Sequence, residues 1–573
     1  MLSTLGALLL LFHILYFYFE RPVFAWGFTD WSGLAIIWGL VLLLVAALML
    51  LQKFRLYLAK TPWGDVLKRF FPQNWREHAR VVDISEYQSG GTAVRRYKVM
   101  GAVGVFLLGL GICNAVVFPL VTSAPLFYSQ AYRSLLGEVR ESSFSSDVEP
   151  INLSQIRIVD EETARKLADK KIGEVPALGS EVQLGEMVLQ RVRDKLYYVA
   201  PLEHRGFFQW LSNYKQGSKG FVLVSATNPQ DVRLVQNSYI KYQTRGFLFD
   251  YLPRYLYANG FVNVGMTDFS FQIDNEMTPF WVVTLYKNKI GYRGGDAVGV
   301  ATVNAQTGEI ARYDMENIPP WIVRVQPEEF ILRQIQDWGE YVNGFWNSIF
   351  AKVGTMKPTG REMHLIYGND DKIYWYTGIT SSGKDESTVG FIMVNSRTKE
   401  AKWYKVAGAD ESGAKKSAEG QVQEKGYRAG YPILYNIYGV PTYISPLKDK
   451  EGLLKAVAFI SVENYTQVGV GADIESAMRN YQQTLASKGN QFIPGNEMTP
   501  VKLQGKVSRV STVVKNGESY FYFMLEGDNR IFVGTVSTSP RLPLVKVGDT
   551  VTVQANDSSD TTIPIHLFKG ENY

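Results

Sequence analysis

The sequence predicts a membrane protein in three parts: three N-terminal transmembrane helices, an α+β region of repeated helix plus antiparallel-sheet modules, and a small C-terminal β-barrel. Three observations lead to this fold class. Long apolar runs without charge are confined to the first quarter of the chain, one segment recurs three times without a gap, and closely spaced short strands end the sequence. With 573 residues, 46% hydrophobic and 20% charged, the chain is long enough for several domains with their own cores.

The three apolar runs cover residues 2–19, 31–51 and 99–121. Each is close to the roughly 17 to 25 residues that cross a bilayer as a helix. None contains Asp, Glu, Lys or Arg, and aromatic residues cluster at their edges, as in an interfacial belt. The first run has no preceding Lys or Arg and no clear cleavage site after it, so we expect it to be retained rather than removed as a signal peptide.

Charge in the loops predicts the orientation. The loop 52–98 carries ten Lys and Arg residues, whereas the loop 20–30 carries only Arg21. Basic residues near membrane helices stay in the cytoplasm, so the N-terminus and the loop 52–98 are predicted inside and the region after Ser123 outside. The only cysteine, Cys113, lies within the third apolar run and leaves no disulfide framework. We therefore expect a multi-pass cell-membrane protein with a large extracytoplasmic domain, most in keeping with a bacterial envelope.

Internal repeats organise the region that follows. Three segments align without a gap, Gly220–Leu234, Gly299–Tyr313 and Gly390–Tyr404, and a weaker copy runs from Ala458 to Val468. Each copy has the pattern strand, polar turn, strand, each follows an aromatic strand, and helical stretches separate the copies. The pattern predicts α+β modules at 129–240, 241–325 and 326–410, and a divergent fourth module at 411–495.

One repeat carries a family resemblance. The sequence Val303-Asn-Ala-Gln-Thr-Gly-Glu-Ile310 resembles the closing hairpin of PepSY-type modules, small α+β domains often found outside the membrane in bacteria. The other copies match that hairpin less well. The resemblance implies regulatory or interaction modules without catalysis, and it carries no catalytic residues over to this chain.

The last predicted domain, 496–573, has short strands separated by turns, as in a small β-barrel. Its runs Gly505–Val510 and Val545–Val553 resemble an OB-fold, a barrel whose sheet face binds single strands or sugars. From Lys502 onward there are eight basic and seven acidic residues, so we expect only weak attraction between the barrel and the phosphates of nucleic acid. Tyr520 and Tyr522 are candidate interaction residues, because alternation along their strand places half of its aromatic side chains in the core and half on the surface. Whether the barrel binds nucleic acid, sugar or protein stays open.

Residues for catalysis or metal binding are not apparent in the sequence. The five histidines are scattered without metal-ligand spacing, and the phosphate-loop-like run Gly378–Asp385 ends in Asp where Ser or Thr would hold magnesium. We therefore predict no catalytic residues, no metal and no cofactor. The remaining interaction candidates lie in Pro201–Trp210, where charged residues flank a histidine, interpreted as a surface histidine, beside aromatic side chains. These candidates are Glu203, His204, Arg205 and Trp210.

The favoured function is a membrane-anchored, non-enzymatic scaffold or interaction protein of the cell envelope that works in an oligomer or partner complex. Its expected partners are the lipid bilayer and other proteins or further copies of the chain. One alternative is a transmembrane sensor of an extracytoplasmic ligand, and another is an envelope enzyme whose site is assembled from distant residues. Transport is disfavoured because no charged residue lines the three apolar runs.

Overall fold

The protein is described by a computed structural model covering residues 2–58, 92–148, 150–151, 153–193, 195–360, 362–367, 372–382, 387–437, 439–487, 500–515, 518–536, 538–556 and 562–570. The fold is mixed α/β with several antiparallel sheets. The chain forms two compact units. Unit 1 contains Met1–Tyr128, Leu256–Gly265 and Tyr286–Asp296, and unit 2 contains the rest. Most of the predicted cytoplasmic loop 52–98 lies outside the described residues, and the boundaries of the modules stay predictions.

Unit 1 contains the apolar helices Leu2–Glu20, Ser32–Leu58 and Thr92–Ile112, the last continuing through a π-helical turn, Cys113–Val117, into Phe118–Thr122. Two stretches are long and apolar enough to cross a membrane, Ser32–Leu51 with mean hydropathy 3.0 and Lys98–Thr122 with mean hydropathy 2.2. The predicted first span also forms a helix, but its apolar part among the described residues, Leu10–Glu20, is shorter. A third span therefore stays a proposal.

Glycines bring the two longer helices into close antiparallel contact. A Cβ atom on Gly39 would lie 2.7 Å from the backbone N of Leu108, and one on Gly104 would lie 3.0 Å from the carbonyl O of Gly39. A Cβ on Gly111 would lie 2.6 Å from a side chain of the facing helix, whereas Gly109 has nothing within 4 Å. Small residues at such contacts let membrane helices pack backbone to backbone. Gly39, Gly104 and Gly111 thus serve a contact within one chain.

The first sheet is antiparallel throughout, and in the second sheet the last two strands pair antiparallel. The first contains Val182–Leu184, Val188–Val192, Lys195–His204, Ser218–Ser225 and Val232–Ile240, and the second contains Gly265–Ile273, Pro279–Ile290, Arg293–Asn304 and Ile310–Asp314. The accompanying helices are Pro125–Ser134, Phe144–Asp147, Glu161–Gly173, Leu178–Glu181, Phe207–Asn213 and Leu252–Ala258. Asp160 caps the longest of them by accepting a hydrogen bond from the backbone N of Thr163 at 3.0 Å.

The third and fourth sheets follow later in the chain. The third contains Val139–Ser142, Met356–Pro358, His364–Tyr367, Ile373–Ser381, Gly390–Asn395 and Ala401–Tyr404, and the fourth contains Arg428–Ala429, Ile433–Ile437, Val440–Lys448, Leu454–Ser461 and Val468–Gly471. Short strands Ser387–Thr388 and Gly408–Ala409 pair separately. The helices here are Glu328–Glu340, Gly344–Trp346, Glu411–Gly420 and Ile474–Ser487. In the third sheet, Val139–Ser142 pairs in parallel with Ala401–Tyr404, so a segment that precedes the first sheet completes the third.

One turn recurs in every repeat. The side-chain oxygens of Asn304, Asn395 and Ser225 accept hydrogen bonds from the backbone N–H groups two and three residues further on, at 2.9 to 3.3 Å. Ser461 in the weak fourth copy accepts one from the N–H three residues on, at 3.2 Å. Asn and Ser favour turns because their side chains bond the local backbone in this way. The polar position that follows each repeated strand therefore has one physical role in all four copies.

The third sheet is buried on both faces. Tyr376 and Phe391 pack in one core with Tyr443 of the fourth sheet. Trp375 and Ile392, which alternate with them, belong to another core that includes residues of the first sheet. Successive strand residues point to opposite faces, so the nearly continuous apolar run Ile373–Ser381 fits a strand covered on both sides. The first, third and fourth sheets are thus joined by shared cores.

The C-terminal strands close into a barrel. They are Pro500–Lys515, Glu518–Leu525, Ile531–Thr535, Thr550–Asn556 and Thr562–Gly570. The barrel order is first, second, third, fifth, fourth, and the third and fifth strands pair in parallel. Phe521 and Phe523 are buried in the barrel core, while Tyr520 and Tyr522, which alternate with them, are half-buried. This alternation is the one expected from the sequence.

Candidate functional site

The predicted interaction residues near His204 lie at the end of a buried strand. Glu203 is 1% exposed, His204 is 2% exposed and Trp210 is buried, so only Arg205 lies on the surface. This differs from the interpretation of His204 as a surface histidine. His204 is buried because the end of its strand pairs with the short strand Val182–Leu184. In this pairing Val182 lies opposite His204 and covers the strand end. The sequence does not show this short partner strand.

The buried carboxylate of Glu203 is hydrogen-bonded to a neighbouring loop. Its carboxylate accepts hydrogen bonds from the hydroxyl of Thr244 at 2.7 Å, from the Thr244 backbone N at 3.1 Å and from the Arg245 backbone N at 3.3 Å. The Arg245 guanidinium lies 3.9 Å away. Burial raises the pKa of Glu203, and these donors oppose the rise. The arrangement holds the loop after residue 243 against the strand.

His204 is held as a neutral imidazole. Burial lowers its pKa to about 4, and Glu181 opposes this only in part. Its Nε2 atom is buried with no hydrogen-bond partner among the described residues. Neighbouring residues on a strand point to opposite faces, and the carboxylate of Glu203 is engaged with Thr244. Glu203 and His204 are therefore not arranged as an acid–base pair.

The buried side chain of Trp210 connects a surface helix to a surface turn. Its Nε1 donates to Oδ2 of Asp250 at 2.8 Å, and its ring lies 5.6 Å from the ring of Phe207 and 5.7 Å from that of Phe247. These contacts tie the helix Phe207–Asn213 to the turn Leu248–Asp250. Burial raises the pKa of Asp250, and the Trp210 hydrogen bond opposes this. The buried tryptophan therefore gives the two elements a common rigid base.

Large apolar side chains stand exposed above this base. Phe208 is 77% exposed and Phe249 is 63% exposed. The exposed set, which we call the aromatic surface, consists of Phe207, Phe208, Leu211, Tyr214, Leu248 and Phe249. Only the Phe-Phe doublet after Gly206 gave a signal for it in the sequence, as aromatic side chains beside His204. Leu248 and Phe249 were missed because their exposure depends on the turn that Trp210 holds.

The rim of the aromatic surface is basic. Arg205, Lys215 and Arg245 are exposed, and the half-buried Arg254 donates to the carbonyl O of Leu248. The nearby carboxylates of Glu203 and Asp250 are occupied by the hydrogen bonds described above. The segments that carry the aromatic surface therefore also carry exposed basic side chains.

Tyr520 and Tyr522 form a separate location. They lie on the second strand of the barrel, which has its own core. The structure therefore does not bring all the predicted interaction residues together.

A polar cluster that the sequence analysis missed lies in unit 1. Asn114, in the π-helical turn, is buried, and its Nδ2 donates to Oγ of Ser32 at 2.7 Å and to the carbonyl O of Phe28 at 3.2 Å. Its Oδ1 accepts a hydrogen bond from the hydroxyl of Tyr292, whose backbone N donates to Oγ of Ser123 at 2.7 Å. π-helical turns often mark functional positions. Here the turn binds the strand connection around Tyr292 to two apolar helices.

The loop between the first two helices is hydrogen-bonded to other segments of unit 1. The backbone N of Phe24 donates to the carbonyl O of Val262 at 2.8 Å, and the hydroxyl of Tyr257 donates to the carbonyl O of Pro22 at 2.9 Å. Nδ2 of Asn288 donates to the carbonyl O of Gly27 at 2.7 Å. The loop 20–30 therefore contacts segments that come much later in the chain.

No group of three or more His, Cys, Asp or Glu side chains within the described ranges is arranged to hold a metal ion.

Comparison with known proteins identifies no family. No protein-family model matches the chain. No curated protein matches it. Among solved structures, a Trypanosoma rangeli sialidase in complex with 2,3-difluorosialic acid is 8% identical with a TM-score of 0.17, over 68% of this chain and 53% of the sialidase. A second sialidase is 10% identical with a TM-score of 0.15, over 74% of this chain and 47% of that one. The chain spans about half the length of these structures, and TM-scores this low carry no argument.

Proposed function

We propose that the protein is a membrane-anchored, non-enzymatic scaffold or interaction protein of the cell envelope, and that it docks a protein partner on the aromatic surface. The observation that carries the proposal is the exposure of six large apolar side chains above a base fixed by Trp210 and Glu203. Exposed apolar patches of this kind are typical of interaction sites. A rigid base lowers the entropy lost on binding.

The chemistry of the surface defines the partner. Aromatic residues and arginine are enriched at the centres of protein interfaces, and a few of them carry most of the binding energy. Burying a side chain such as Phe208 contributes about 2 kcal/mol. The basic rim of Arg205, Lys215 and Arg245 favours a partner whose apolar face is bordered by carboxylates.

The proposed topology has three membrane spans, with the N-terminus and loop 52–98 in the cytoplasm and the region after Ser123 outside. The contacts of the loop 20–30 with Tyr257, Val262 and Asn288 support it, because the charge pattern assigns all of these segments to one side. Protease treatment of sealed right-side-out vesicles tests this topology. Digestion of the region after Ser123 from outside is expected, and its protection would invert the orientation.

The repeated modules and the barrel are proposed to be PepSY-like and OB-like interaction domains. The turn shared by Asn304, Asn395 and Ser225 supports a common origin for the modules. Five strands in a closed Greek-key order support the OB assignment, and the face that such barrels use for binding includes the strand of Tyr520 and Tyr522.

Site-specific photo-crosslinking tests the proposed function. A photoreactive amino acid replaces Phe208 in the full-length protein in its native membrane, and a matched variant carries it at Val547, an exposed barrel position. We expect a discrete protein adduct from position 208 that is missing from position 547, with an acidic, apolar partner surface at the crosslinked peptide. Crosslinking of position 208 to lipid alone would contradict the proposal.

A transmembrane sensor is the second candidate. The hydrogen bond between Tyr292 and Asn114 favours it, because this contact links a segment beyond the last apolar helix to the helix itself. A change at Tyr292 would therefore act directly on the helix pair. Ligand-dependent movement of spin labels on the two longer helices would support this candidate.

A further inference from the structure

Arg157 lies where three sheets of unit 2 meet. Its side chain is 8% exposed. Its Nη1 donates to the carbonyl O of Leu365 in the third sheet at 2.7 Å, and its backbone N donates to the hydroxyl of Tyr435 in the fourth sheet at 3.3 Å. The guanidinium carbon lies 5.9 Å from the ring centre of Tyr198 in the first sheet. One cation is therefore enclosed by all three sheets.

The charge of Arg157 has no acidic partner in the part of the chain that the structure describes. Its Nε is buried without a hydrogen bond. The carboxylate of Asp160 lies close in sequence but pairs with Lys448 at 2.7 Å. A buried cation is costly unless an opposite charge and hydrogen bonds compensate it. The carbonyl O of Leu365 and the ring of Tyr198 supply only part of this compensation.

A hydroxyl donor lies beside the same cation. Tyr367 follows Leu365 by two residues on one strand, so their side chains share a face. The Tyr367 hydroxyl is buried beside the backbone of Arg191, and no acceptor for its hydrogen lies within reach among the described residues. Burial raises the pKa of Tyr367, so the group stays a protonated donor. Burial, and next the charge of Arg157, lowers the pKa of His364 to about 3, so His364 is neutral beside Arg157.

We propose that Arg157 and Tyr367 form a binding site for a small soluble anion that carries a carboxylate or phosphate group. A guanidinium fork matches both groups, and a phenolic hydroxyl adds a further donor. The burial of Arg157 restricts the ligand to a small molecule and keeps the headgroups of a bilayer out. Bound there, the anion neutralises the cation and holds the junction of the first, third and fourth sheets. This inference goes beyond the proposed docking function, because it does not involve the aromatic surface.

Anion-dependent thermal stability of the purified full-length protein in detergent tests the site. Inorganic phosphate and acetate are titrated separately against chloride at constant ionic strength. A ligand that binds only the folded state raises the melting temperature as its concentration passes the dissociation constant. We expect at least one of the two probes to raise it beyond the chloride control in the wild type, and the response to be lost in Arg157→Met.

Two further variants serve as a control for a surface cation and as a test of the Tyr367 hydroxyl. Arg140→Met removes an exposed cation that pairs with Glu400, and it should retain the wild-type response. Tyr367→Phe removes a single hydroxyl and should weaken binding several-fold even where Arg157→Met does not fold. An equal response in wild type and Tyr367→Phe, or no response to either probe in the wild type, would overturn the site.

Discussion

Acid should destabilise the protein through His204. The folded-state pKa of about 4 lies below the ordinary value of 6.5, because burial disfavours the charged imidazole. The unfolded state therefore takes up the proton first, and the stability contributed by His204 is lost as the pH falls from 6.5 towards 4. At about pH 5, protonation of the unfolded state lowers the equilibrium constant for folding roughly thirty-fold. The free energy of unfolding is then about 2 kcal/mol smaller than at neutral pH.

The variant His204→Phe isolates this effect. Phenylalanine keeps a ring of similar size in a site that is 2% exposed, and it removes both the titration and the buried Nε2 without a partner. Urea unfolding at about pH 7.5 and pH 5 should show a stability loss in the variant that is smaller than in the wild type by about 2 kcal/mol. His364, whose pKa of about 3 gives it a slope of the same sign, is present in both proteins and cancels in the comparison. Equal pH dependence in the two proteins would refute the reasoning.

Other substitutions test other parts of the structure. Gly39→Leu should force the two helices apart and lower the fraction of the protein in membranes that resists protease. Gly109→Leu, at an open position of the facing helix, should leave that fraction unchanged. Asn114→Leu should cost about 1 to 3 kcal/mol in unfolding assays, since it leaves its buried partners unpaired. Arg324→Met should cost about 3 to 5 kcal/mol because it leaves Asp268 buried and unpaired, and adding Asp268→Leu should recover part of the loss. A loss in the double variant as large as in the single one would contradict that pairing.

Apolar content predicted the long helices well because a bilayer requires continuous runs without charge. Ser32–Leu58 covers all but the first residue of the second predicted span, and the third lies within Thr92–Ile112 and the turns that continue it to Thr122. The contact made by Gly39 was not predictable, since it depends on which face of the helix meets its neighbour. The role of Asn114 was equally hidden, because its partners are far away in sequence.

Helix limits were predicted less well than helix positions. The residue pattern predicts one helix over 327–350, but the structure ends the first helix at Glu340 and begins another at Gly344, whose φ of +80° interrupts the α-helix. The pattern also predicts a helix over 247–259, whereas the structure has only the helix Leu252–Ala258, preceded by the 3-10 turn Leu248–Asp250. In both cases local turn geometry outweighs the apolar pattern.

The candidate site was predictable only in part. The segment ending at Trp210 was singled out from its mixture of charge and aromatic residues, and the aromatic surface does include neighbours of that segment. Exposure could not be assigned correctly, since His204 is covered by a strand and Phe249 is displayed by a turn from elsewhere in the chain. The burial of Arg157 without an acidic partner was not predictable from the sequence, because it arises where three sheets meet around the side chain.

Sizing of the native complex tests the docking function most directly. The wild type, the double variant Phe208→Ser with Phe249→Ser, and the control Val547→Ser are extracted from membranes in mild detergent and sized without denaturation. The account predicts that the wild type and the control run as an assembly larger than one 64.6 kDa chain with its bound detergent, and that the double variant loses the partner while its helices and sheets stay folded. An assembly of unchanged size in the folded double variant would contradict it.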